Sequence, residues 1–216
     1  MKMDNQFKKS AGICLSIGAV LATLTMAMHP VGGSLAEIAN MRNAFTFSHG
    51  MAVLCIPFIA FGFWGLSTKL VTNSRISFLA FSIICFGLIA AMVAGTINGL
   101  VLPYFASKYA DGTIDDSILN SIRAYGNFIN LSLDYIFIGA ISLSILIWSY
   151  LIVAKKQLPV WLGYYGLLII LCIVAALLMN LSFTSVIGFS LFTFLIVSWK
   201  IAAGALLIFS SKKSKP

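Results

Sequence analysis

Apolar residues run along this chain in long blocks, cut by short polar breaks. Six blocks stand out: 11–28, 46–67, 77–102, 127–153, 160–180 and 185–209. A helix needs roughly 20 apolar residues to cross the hydrocarbon core of a bilayer. In lipid a helix is the one open structure that satisfies its own backbone. The pattern therefore predicts an all-α membrane protein, a bundle of six transmembrane helices forming a single domain over residues 1–216. Pro57 lies inside the second block, where its missing N–H is expected to kink the helix. Six spans permit a three-plus-three inverted repeat, but no internal repeat is visible.

The first two outer breaks carry helix signals of their own. Ser34-Leu-Ala-Glu37 matches a capping box, and Leu35, Ile38 and Met41 follow at helical spacing. This predicts a short helix at about 35–43, lying on the membrane surface. The break at 103–126 opens on Pro103 and contains the turn signal Asp111-Gly112. Asp115 or Asp116 can then cap a helix carrying Ile118, Leu119, Ile122 and Tyr125, which can run directly into the fourth span. One short interfacial helix is thus expected in each of the first two outer loops.

Composition agrees with a membrane location. Of 216 residues, 60% are hydrophobic and 9% charged, against about 25% charged in soluble domains. A net charge of +8 on a soluble protein would suggest nucleic acid. Here the basic residues sit in short loops and tails, without a recognition fold, so the expected partner is the lipid bilayer and not nucleic acid. Lys2, Lys8, Lys9, Lys69, Arg75, Lys155, Lys156, Lys212, Lys213 and Lys215 fall on one side, and only Arg42, Lys108 and Arg123 on the other. The positive-inside rule then places both termini in the cytoplasm, and the expected location is a bacterial cytoplasmic membrane. Trp64, Trp148 and Trp161 near inner helix ends, with Tyr104, Tyr109 and Tyr125 near outer ones, read as interfacial belts. Residues 1–28 also have the basic start and apolar stretch of a signal peptide; its cleavage would leave five spans.

Two charges interrupt the spans, Asp134 and Lys200. Each costs roughly 2.5–3.5 kcal/mol on insertion scales, so both are functional suspects. Asn127, Asn130 and Asp134 share one helix face, which turns apolar at Ile138 and Ile141. The polar stretch is confined to the outer part of the span, as in a pocket open on that side. Asn98 shares a face with Ala91, Ala94 and Gly95. His29 lies above Thr25, Ala22 and Gly18; His49 lies with Ala52, Ile56 and Ala60; and Lys200 lies with Ala203 and Gly204. Small residues on each face point to helix contact. An outer cluster of His29, His49, Asn98, Asn127, Asn130 and Asp134 follows, with Asn180 nearby. Such residues also serve simply as interhelical glue, at about 0.6 kcal/mol on average. A direct Asp134–Lys200 ion pair requires the two helices to be offset, because Lys200 lies deeper in its own span.

The leading expectation is binding or transport of a small polar solute or a proton, with Asp134, Asn98, Asn130, Asn127 and Lys200 as the binding set. One alternative is a non-catalytic membrane subunit or homo-oligomer, packed through the small-residue ridge Ala91, Gly95 and Gly99. Another is a haem or metal ion held by His29 and His49, the only two histidines. No H-E-x-x-H, C-x-x-C or C-x-x-C-H motif supports a metal site or redox couple, and no cofactor is predicted. Cys14, Cys55, Cys85 and Cys172 read as small buried apolar residues. A Ser48–His49–Asp134 hydrolytic set is weak, because adjacent helix residues do not face one another, and the balance is against an enzyme.

Overall fold

The computed structural model describes residues 4–71, 74–109 and 114–212, and these are helical almost throughout. The elements are α1 (Asn5–Ala27), α2 (Leu35–Asn40), α3 (Arg42–Val71), α4 (Ile76–Thr96), a π-helical turn (Ile97–Val101), α5 (Leu102–Tyr109), α6 (Asp116–Lys155), α7 (Val160–Leu178) and α8 (Val186–Lys212). Six helical stretches are long and apolar enough to cross a membrane, and together they fit a multi-pass membrane protein.

The long helices pack as a closed ring in the order α1, α3, α4, α6, α7, α8 and back to α1. Glycines set the closest approaches. A side chain on Gly62 of α3 would strike the backbone of Leu15, and one on Gly12 of α1 would come within 2.5 Å of the Gly204 carbonyl of α8. Water expulsion does not drive association between helices in lipid, so such close van der Waals contact carries more of the load.

Both termini lie at one end of the ring, and that end is filled. Trp148 is fully buried, stacks on Trp199 with centroids 6.4 Å apart, and meets Phe63 at 4.9 Å. Each indole N–H is satisfied, Trp148 Nε1 donating to Ser77 Oγ at 3.2 Å and Trp199 Nε1 to the Leu162 carbonyl at 3.2 Å. Ser67 and Ser77 bond each other across α3 and α4. Ser144 of α6 donates to the Ala80 carbonyl at 2.9 Å. Trp148 therefore belongs to the core and not to an interfacial belt. Its position near a helix end suggested the belt, but its face of α6 points inward at the aromatic plug. Trp64 and Trp161 are both exposed. Cys172 is exposed too, and only Cys55 is buried as the sequence suggested.

At the opposite end the loop helices differ from expectation in three ways. First, α2 carries the capping box, with Glu37 N–H donating to Ser34 Oγ at 3.3 Å and Ser34 N–H to Glu37 Oε2 at 2.7 Å. Its apolar face, however, is turned onto protein. Ile38 packs with Phe45 and Ala106 in a small second core, and the Arg42 guanidinium lies 5.0 Å from the Tyr104 ring centroid. Second, the third span does not end at Pro103. Helical structure continues to Tyr109, because Pro103 falls in the first turn of α5, where its missing N–H is tolerated. Third, the second loop has no separate capped helix. Asp115 is the N-cap, accepting from Ser117 N–H at 2.7 Å, and α6 then runs unbroken for 40 residues, about 60 Å at ~1.5 Å per residue. The Asp111-Gly112 turn lies outside the described residues.

Candidate functional site

Away from the termini the middle of the ring is hollow. A cavity of about 260 Å³ lies there, walled by α1, α3, α4, the π turn, α6 and α8. Five of the six clustered polar residues named above line it: His29, His49, Asn98, Asn130 and Asp134. Lys200 joins them. The face partners line it as well, Ala22 and Thr25 below His29, Ala52 and Ile56 below His49, and Ala91, Ala94 and Gly95 below Asn98.

Two residues stand apart. Asn127 shares the α6 face of Asp134, but it is exposed and does not line the cavity. The helix continues past the cavity there, so the shared face has no neighbour opposite. Asn180 is also exposed and has φ of 61°. It ends α7 in a Schellman motif, with Leu181 N–H donating to the Ala176 carbonyl at 2.9 Å and Asn180 N–H to Leu177 at 3.0 Å. Asn tolerates that left-handed conformation better than most residues, so its role is to stop the helix.

On α6, Asn130 Nδ2 donates to Asp134 Oδ2 at 2.9 Å, leaving Asn130 Oδ1 buried and unpartnered. The His29 and His49 rings lie 4.8 Å apart, centroid to centroid. His49 Nδ1 sits 3.0 Å from the Phe45 carbonyl and 3.2 Å from Ser48 Oγ. Adjacent side chains do meet here, because both lean back over the preceding turn. Ser48 is nevertheless fully buried and off the cavity, so no nucleophile faces a substrate. His29, beyond the end of α1, has a pKa below its ordinary value. Burial desolvates its charged form, partly offset by the Pro30 carbonyl. Its Nδ1 is buried without a partner. Among the described residues no three His, Cys, Asp or Glu side chains gather as a metal set.

Lys200 forms the inner limit of the polar lining. It follows Trp199 directly and is only 3% exposed. Among the described residues it makes no ion pair with Asp134, so the offset that a direct pair required is absent. Phe137 of α6 meets Phe189 and Phe192 of α8 at 6.2 and 6.5 Å. This register leaves Asp134 near the outer end of α8 and Lys200 well inward.

The sequence reading missed the π turn. Pro103 has no N–H to offer the Gly99 carbonyl, and Thr46 Oγ1 donates to that carbonyl instead, at 3.2 Å. The backbone widens to i→i+5 pairing, with Leu102 N–H bonded to Ile97, and the turn carries Asn98 in the cavity wall. Gly99 packs directly on the His49 side chain, and Gly95 on Val53. The small-residue ridge proposed as a partner surface is therefore occupied by α3 of the same chain. Comparison with known protein families, curated proteins and solved structures gave no match. Thr193 was also missed. It is spaced i, i+7 with Lys200 and lines the same cavity, a signal available from the sequence.

Proposed function

We propose that this cavity binds a small polar solute from the outer side of the membrane, with Asp134 as its ion-responsive group and Lys200 as the internal countercharge. One observation carries the reading. Polar side chains from five separate elements converge on one cavity, and His29 and Asn130 each leave a buried polar atom unsatisfied there. Glue would be expected to satisfy itself between helices, whereas these groups face open space. Passage further inward is blocked by Phe63, Trp148 and Trp199, so translocation of a solute or proton requires that plug to move.

The test is native mass spectrometry of protein purified from its own membranes, combined with Asp134→Asn. The expected result is a bound small molecule in the wild type, lost in the variant, with an unchanged melting temperature. Equal loss of folding would show that Asp134 is structural.

A further inference from the structure

The two charged groups of the cavity stand apart and unpaired, and the wall between them is apolar. Lys200 has nine-tenths or more of its surface buried, lines the cavity, and among the described residues has no counter-ion. A buried ammonium without a partner is costly, and an incoming anion relieves that cost. At the other end, Asp134 is held only by Asn130, whose Oδ1 is an unused acceptor beside it. That end therefore asks for a donor or cation. Between the two lie Ile56, Leu88, Phe189 and Ile196.

The register of α6 on α8 gives the span. Phe137 is level with Phe189 and Phe192. At ~1.5 Å per residue, and with the lysine stem reaching outward, the two charged heads are separated by roughly 10 Å. That is too far for an α-amino acid, whose charges sit side by side. The cavity as a whole offers one cation and one anion, so a dipolar solute satisfies both without leaving either charge buried alone.

Building on the solute-binding reading, we propose that the ligand class is an elongated zwitterion. Its carboxylate would meet Lys200, its ammonium would meet Asp134 and Asn130 Oδ1, and a short apolar chain would lie between.

The test uses the full-length protein in nanodiscs and isothermal titration with 4-aminobutanoate, 6-aminohexanoate, 8-aminooctanoate and 10-aminodecanoate. The matching simple carboxylates, amines and ω-hydroxy acids are controls. Affinity is expected to peak at an intermediate or long chain. The zwitterion should exceed the carboxylate and the hydroxy acid of equal length by at least about tenfold. Lys200→Met should remove the preference for the carboxylate, and Asp134→Asn should make zwitterion and hydroxy acid bind alike. Thermal melts of both variants establish that they are folded. Equal binding of zwitterion and hydroxy acid by the wild type overturns the proposal, as does the absence of chain-length dependence. If none of these compounds binds but a solute copurifies and is lost in Asp134→Asn, the ligand class is wrong and the solute site stands. If nothing copurifies either, both fall.

Discussion

The two ends of the helix ring solve opposite problems with the same kind of residue. At the terminus-bearing end, polar groups are small and paired: Ser67 with Ser77, Ser144 with the Ala80 carbonyl, and each indole N–H with an acceptor. At the other end, polar groups are large and leave hydrogen-bonding capacity unused toward a cavity. The first pattern ties helices together. The second leaves free energy to be gained when something enters. Position alone does not separate glue from site; completeness of pairing does.

The largest blow to this contrast should fall on the filled end. Trp148→Ala removes a fully buried ring and orphans Ser77, and is expected to cost about 3–5 kcal/mol, read by steric-trap or denaturant unfolding in micelles. Lys200→Met should move the other way. Replacing an unpaired buried charge by an apolar side chain of similar length should stabilise the fold by about 1–3 kcal/mol, measured by the same unfolding assay, even as ligand binding is lost. Ala91→Leu fills part of the hollow end. It should leave stability within about 1 kcal/mol of wild type or raise it, while weakening any bound solute in native mass spectra. Thr46→Val deprives the Gly99 carbonyl of its donor and should cost about 1 kcal/mol. The smallest effect concerns pH. His29 titrates below its ordinary value of 6.5 in the folded state, so the unfolded chain takes up a proton first. Stability is full above pH ~6.5 and falls as pH drops below it. Melting curves across that range should lose part of this slope in His29→Gln.

The sequence made the spans legible because lipid demands a long apolar run, and the six stretches match within several residues. The cavity residues were legible for the same reason. A charge or amide amid small residues must face another helix, so His29, His49, Asn98, Asn130, Asp134 and Lys200 could be assigned inward. Where each face ends was not legible. Asn127 and Asp134 look equivalent on a wheel, but a wheel has no depth, and Asn127 lies beyond the cavity. Trp148 was misjudged for the mirror-image reason, since nearness to a helix end says nothing about which way the ring points. The ridge of Gly95 and Gly99 was read correctly as a close contact. Its partner was assigned to another molecule, because spacing along one helix cannot tell a neighbour within the chain from one outside it.

The π turn has a consequence for how this wall tolerates change in chain length. It holds more residues per turn than the α-helix on either side, so it acts as a phase adjuster between two stretches with separate duties. Below it, α4 presents Ala91, Ala94 and Gly95 to the cavity. Above it, α5 presents Ala106 to the small core with Ile38 and Phe45. Deleting one residue within Ile97–Val101 would let the helix close up as regular α and turn everything after it by about 100°. One of the two surfaces would then face the wrong way. The irregular turn is thus what allows a single continuous rod to keep two partners that are out of step with each other.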